Sequence, residues 1–139
     1  MKVSSFEDLQ VWRDSRKLVK SIYELTSIGN FSKDYGLKDQ IQRASVSIMN
    51  NIAEGFERNN NKEYAKFLGY SKGSAGEVRS MLYIALDLGH ISKDNFTVCY
   101  DSSLNVITQI SNFTKYLRKY SVKAKFENIK LLLVSLIRI

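Results

Sequence analysis

The side chains best suited to covalent or acid–base chemistry are the one cysteine, Cys99, the one histidine, His90, and, among the 14 Asp and Glu, Glu54 and Glu77 as a possible carboxylate site. A nucleophile needs a base within hydrogen-bond reach. His90 sits at a helix boundary and Cys99 falls on an apolar stripe, so they do not form a recognisable pair. Two glutamates on helices suggest a carboxylate metal site, but diiron bundles also need Glu-x-x-His on facing helices, and the sequence has none. The segment Gly69-Tyr70-Ser71-Lys72-Gly73-Ser74-Ala75-Gly76 resembles a phosphate loop only superficially: it lacks the spacing and lies within a helix pattern rather than after a strand. Small residues there are expected to allow close helix packing. The chain is therefore read as non-enzymatic, with no catalytic residue, no metal and no cofactor.

Charge is more informative. Twenty-one Lys and Arg against 14 Asp and Glu give a formal net charge of +7, which favours an anionic partner such as nucleic acid or a lipid surface, or serves solubility alone. Arg13, Arg16, Lys17 and Lys20 recur at helical spacing as one positive stripe. Lys115, Arg118 and Lys119, continued by Lys123 and Lys125, cluster where a helix should end, a placement that the helix dipole partly explains. Tyr116 and Tyr120 lie beside them and could stack on bases or simply pack. No base-reading motif accompanies these cations, so contacts would run through phosphates with little sequence specificity.

The elements that must position these residues follow from periodicity. Proline is absent, where average usage would supply about 5%, and a chain without it can run long helices. A first helix is expected from the capping box Ser4-x-x-Glu7 to about residue 27, with Leu9, Trp12, Ser15, Val19, Ile22 and Tyr23 inward. A second should run over 33–58 after a Ser32 cap. A third, capped by Asn60 or Asn61, should bury Phe67, Ser71, Ser74, Val78, Met81, Leu82 and Ala85 and stop near Gly89. A fourth, capped by Ser92, should bury Phe96, Cys99, Ser103, Ile107, Ile110, Thr114 and Leu117 and end near Tyr120. Short connections between long amphipathic helices predict an all-α, antiparallel up-down-up-down four-helix bundle over residues 1–120.

The second helix is unusual. Leu37, Ile41, Ala44, Ile48 and Ile52 form its main stripe, while Ser45, Val46, Met49 and Ala53 widen it beyond one bundle face. Opposite runs a polar stripe of Gln40, Arg43, Ser47, Asn50 or Asn51, Glu54 and Arg58, suited to a subunit interface or to structural pairing, with Arg43 and Glu54, three turns apart, expected to have their charges satisfied within or between subunits. Gly55 lies on the core side and costs a helix interior about 1 kcal/mol relative to alanine. A closely approaching helix would account for it.

Residues 121–139 form a separate tail, basic and then apolar. Its apolar run is about half the roughly 20 residues that a membrane-spanning helix needs, so a membrane anchor is not expected. Docking on a protein surface is favoured over an interfacial membrane contact aided by Lys123, Lys125 and Lys130. The N-terminus lacks a signal-peptide core and Cys99 has no intramolecular partner, which points to the cytoplasm. The Asn95-Phe96-Thr97 and Asn112-Phe113-Thr114 matches to a glycosylation signal are then coincidental.

The run from Gln40 to Arg58, Q-x-x-R-A-x-x-S-I-x-x-N-I-A-E-G-x-x-R, follows Tyr35-Gly36-Leu37 and precedes Gly73, Ser74 and Glu77 as G-S-x-x-E. With the opening F-x-x-L-x-V-W at Phe6, Leu9, Val11 and Trp12, it resembles the family named for open reading frames in intervening sequences of bacterial 23S ribosomal RNA genes. The resemblance covers about residues 6–120. It implies a homopentamer of antiparallel four-helix bundles, and kinship with the basic accessory proteins of diversity-generating retroelements, which bind nucleic acid and a reverse transcriptase. Ala75-Gly76 departs from the family's usual leucine and larger residue, and the tail has no family counterpart. The expectation is an oligomer that binds RNA or DNA through Arg13, Arg16, Lys17, Lys20, Lys115, Arg118 and Lys119. The alternative is a module that docks a protein partner such as a reverse transcriptase.

Overall fold

The computed structural model describes residues 3–120. Four long helices carry the fold: α1 (Gln10–Thr26), α2 (Tyr35–Glu57), α3 (Asn61–Asp87) and α4 (Lys93–Lys119), with short 3₁₀ turns at Phe6–Asp8 and Gly29–Lys33. No strand occurs among the described residues. The tail lies outside them.

Capping side chains set most of the boundaries. Asn60 accepts the Glu63 N–H at 3.0 Å to open α3, and Ser92 accepts the Asn95 N–H at 3.1 Å to open α4, both as expected. Gly89 closes α3 with φ +71°, the left-handed conformation that glycine adopts freely. Two starts differ from the sequence reading. Asp8 rather than Glu7 turns back on the chain, its carboxylate accepting the Ser4 and Ser5 N–H groups at 2.9 and 3.2 Å, and α1 begins at Gln10. Asp34 rather than Ser32 caps α2, accepting the Leu37 N–H at 3.2 Å. The Ser32 hydroxyl instead bonds the Gly29 carbonyl within the 3₁₀ turn.

The core is made by all four helices. Val11, Leu18 and Ile22 of α1 meet Ile41, Ile48 and Ile52 of α2, Tyr64, Leu68, Val78 and Leu82 of α3, and Val106, Ile110 and Phe113 of α4, all essentially inaccessible to solvent. Leu18, Tyr64, Leu68, Val106, Phe113 and Tyr116 were outside the expected faces. Tyr23, expected inside, is 45% exposed. The inward arc is rotated by part of a turn in α1 and α4 because each helix is flanked by two neighbours, which periodicity alone does not locate.

The wide apolar arc of α2 is used within the protomer. Ile41, Ala44, Ser45, Ile48, Ile52, Gly55 and Phe56 are buried, and Val46, Met49 and Ala53 are half-buried on the flanks. Gln42 of α2 donates to Thr26 Oγ1 of α1 at 2.9 Å, and Ser71 of α3 donates to the Ile48 carbonyl at 2.7 Å. Gly55 is where α3 comes closest, since a Cβ there would lie 2.9 Å from Tyr64 Cδ1 and 3.0 Å from Phe67 Cβ. The close-approach expectation holds at this residue. It does not hold for Gly69, Gly73 and Gly76, where a Cβ would meet nothing within 4 Å; in that segment Ser71 and Ala75 are the residues packed inward.

Candidate nucleic-acid interface

On α1, the apolar face fixes Arg13, Arg16, Lys17 and Lys20 on the far side of the helix. Arg16, Lys17 and Lys20 are exposed there. Arg16 lies over the Trp12 ring at 5.9 Å, and Lys20 makes only a long 3.9 Å pair with the exposed Glu24. Arg13 departs from this arrangement. It is half-buried and donates from Nη2 to the Asp8 carbonyl at 3.2 Å, bracing the turn that opens α1.

The expected α4 cations Lys115, Arg118 and Lys119 are all exposed. They do not merge with the α1 stripe. Asp14 accepts from Gln109 at 2.7 Å and from Asn105 at 3.2 Å, while Ser21 and Glu24 share a cleft with Asn95 and Val98. At 1.5 Å per residue this register separates Lys17 from Lys115 by roughly 16 Å along the bundle. Arg118 has other company. It shares a cleft of about 660 Å³ with Lys62, Lys66 and Glu63 from the start of α3, and with Leu117 and Tyr120. Tyr120 is 37% exposed and its ring lies 4.3 Å from that of Tyr116, whose hydroxyl is pushed up to about 12 chiefly by burial. Sequence reading missed Lys62 and Lys66. Their i, i+4 spacing was the available signal, but nothing local ties them to Arg118, more than fifty residues on.

The polar stripe of α2 divides into two kinds of residue. Ser47 and Asn51 are half-buried: the Ser74 hydroxyl of α3 donates to Ser47 Oγ at 2.9 Å, and Asn51 donates to the Ser47 carbonyl and hydroxyl one turn back on α2. Gln40, Arg43, Asn50, Glu54 and Arg58 face outward. Arg43 and Glu54 each find a partner within the protomer. Arg43 pairs with Asp39 at 3.0 Å and Glu54 with Arg58 at 2.9 Å, each one turn along the same helix. Both pairs are about half exposed or more, so each contributes only about a few tenths of a kcal/mol. Arg58 also lies 5.0 Å over the Phe67 ring. Shallow clefts of about 400 and 420 Å³ run along either side of the stripe, with Arg43 and Ser47 lining both.

Two polar contacts between helices had no signature in the sequence. His90 Nε2 lies 3.0 Å from Asp34 Oδ2, tying the α3–α4 corner to the start of α2, and the His90 ring stacks on Phe31 at 5.2 Å. The hydrogen bond from His90, with that from the Leu37 N–H, lowers the Asp34 carboxyl below its usual value. Arg79 of α3 donates to the Tyr100 hydroxyl of α4 at 2.9 Å within a cluster that includes Tyr83 and Phe96. That bond lowers the Tyr100 phenol. Neither contact brings a nucleophile to a base. Cys99 is buried and its thiol is raised by desolvation. No group of three or more His, Cys, Asp or Glu residues placed to hold a metal occurs among the described residues.

A four-helix protein with a net positive charge is the class these features define. The solved structure of a protein of unknown function from the S23 ribosomal protein family of Bacteroides thetaiotaomicron is similar to it in fold, with a TM-score of 0.70 at 19% identity, over 76% of this chain and 98% of that one. The family model for the 23S rRNA-intervening sequence protein matches residues 7–112. The chain belongs to that family. None of the curated proteins matches it. No described helix is long and apolar enough to cross a membrane.

Proposed function

We propose that this protein is a non-enzymatic, cytoplasmic homo-oligomer, a pentamer of antiparallel up-down-up-down bundles, that binds RNA or DNA through surface cations with little sequence specificity. The observation that carries the reading is the state of those cations: Arg16, Lys17, Lys115, Arg118 and Lys119 are exposed and have no carboxylate within 4.0 Å among the described residues. Elsewhere on the surface Arg43 and Arg58 are neutralised by a neighbour one turn away. The meeting of late α2 residues with early α3 residues, as at Gly55 and Tyr64, supports the antiparallel order. Family membership supports the assembly, and the outward half of the α2 stripe is a polar surface that a second subunit could pair. Repeating a +7 chain around a ring multiplies the field met by a polyanion.

The test is a binding titration against structured RNA, duplex DNA and single strands at several salt concentrations, with light scattering for subunit number. Affinity should fall with salt, at a slope of about −0.9 per phosphate contact on duplex and −0.7 on single strands. Changing Arg16, Lys17 and Lys20 to glutamine should weaken binding to every sequence. Glu54→Gln should leave protomer melting nearly unchanged while loosening the oligomer. Salt-independent or absent binding would overturn the nucleic-acid reading, and a monomeric mass would overturn the assembly. A second reading, docking of a protein partner such as a reverse transcriptase, is favoured by the exposed Tyr83, Ile84 and Leu88 late in α3.

A further inference from the structure

We infer that the cleft between the start of α3 and the end of α4 is a phosphate-binding site for single-stranded nucleic acid, with Lys62, Lys66 and Arg118 holding the backbone and Tyr120 offering a ring to a base. The inference deepens the nucleic-acid reading above and rests on it for the identity of the ligand. The geometry is specific to this place. Lys62 and Lys66 are four residues apart on α3, hence neighbours on one face, and Arg118 reaches the same cleft from α4. All three are exposed and lack an ion-pair partner among the described residues.

The α3 backbone adds to this field, whereas the C-terminal turn of α4 beside it carries the negative end of that helix's dipole. The opening turn of a helix presents N–H groups with no intrahelical acceptor, and Asn60 engages only that of Glu63. Lys62, in the first turn of α3, also sits at the positive end of the helix dipole, where a cation is disfavoured until an anion joins it. Among the described residues, Glu63 is the one acidic side chain lining the cleft. The Tyr120 ring sits at its edge, braced by Tyr116. A cleft of about 660 Å³ is large enough for a nucleotide. Unpaired cations beside an exposed aromatic ring form the pair of features by which single strands are held, phosphates by charge and bases by stacking.

The experiment compares three full-length proteins: wild type, a cleft variant (K62Q/K66Q/R118Q) and a stripe variant (R16Q/K17Q/K20Q). The two variants lose equal charge. Fluorescence anisotropy with labelled ten-nucleotide oligothymidylate and oligouridylate reads the affinity, and amide shifts on adding inorganic pyrophosphate read the site without nucleic acid. The cleft variant should bind the oligonucleotides about tenfold or more weaker, with a salt slope shallower by about 2, and should lose the pyrophosphate shifts near Lys62 and Arg118. The stripe variant should keep those shifts and lose less affinity. Tyr120→Ala should weaken oligonucleotide binding about fivefold or more and leave pyrophosphate binding unchanged. Equal losses in the two variants, with no localised pyrophosphate shifts, would overturn the cleft while leaving binding by overall charge intact. Localised pyrophosphate shifts in a protein that binds neither oligonucleotide would keep a phosphate site but overturn single-stranded nucleic acid as its ligand, and the proposed function would fall only if structured RNA and duplex DNA were not bound either.

Discussion

Replacing Gly55 with alanine is the sharpest probe of how α2 and α3 meet. Judged by local propensity alone, the change should help, because glycine in a helix interior is about 1 kcal/mol worse than alanine. Judged by packing, it should hurt. The new Cβ would sit 2.9 Å from Tyr64 Cδ1 and 3.0 Å from Phe67 Cβ, and neither can yield cheaply. Phe67 Cβ is fixed to the α3 backbone. The Tyr64 ring is fully buried, edge-on to Phe56 at 6.2 Å and tilted on Phe113 at 4.8 Å. Overpacking of this kind costs about 1–3 kcal/mol, and the fixed neighbours place Gly55 toward the upper end. Offset by the propensity gain, the net loss should be about 1–2 kcal/mol, or roughly 3–8 °C in melting temperature for a chain of this size. Thermal unfolding followed by circular dichroism at one fixed protein concentration measures it. Gly73→Ala is the control, since its Cβ meets nothing within 4 Å of the protomer and should stabilise the helix. If Gly55→Ala melts at or above wild type, the close approach of the two helices is wrong. A loss for Gly73→Ala accompanied by a smaller oligomer would place that face against a second subunit.

Two further outcomes are expected. The Asp34 carboxyl titrates below its unfolded value of 3.8, chiefly because His90 bonds it. Its contribution is therefore complete above about pH 4 and is lost as pH falls through the lowered native value, the unfolded chain taking up the proton first. Urea midpoints measured between pH 5 and pH 2 should fall less steeply in Asp34→Asn than in wild type, and parallel curves would refute the linkage. Cys99 is buried and its thiol raised above 9.0 by desolvation. An aromatic disulfide reagent at neutral pH should label it only at the rate of unfolding, and immediate labelling of the folded protein would contradict its place in the core.

The sequence alone determined the number of helices, most of their ends and the family. Those properties depend on signals within a few residues: the 3.6-residue recurrence of apolar side chains, Asn60 and Ser92 as caps, Gly89 as a stop, and the Q-x-x-R-A run of α2. Gly55 also showed in the sequence, because an uncompensated glycine in a helix needs a reason. What periodicity left open was the rotation of each helix, since it marks a face about one third of the circumference wide without saying where the flanking helices stand. Packing on two sides of α1 and α4 therefore buried Leu18, Val106 and Phe113 and left Tyr23 outside. Tertiary structure also decided which charges meet. Arg43 and Glu54, expected to pair within or between subunits, each find an opposite charge one turn away on the same helix. Asp34 and His90 are separated by 56 residues, and Lys62 and Lys66 by a similar distance from Arg118. Their meeting depends on how far one helix slides along another, a register set by the whole core rather than by any local run of residues.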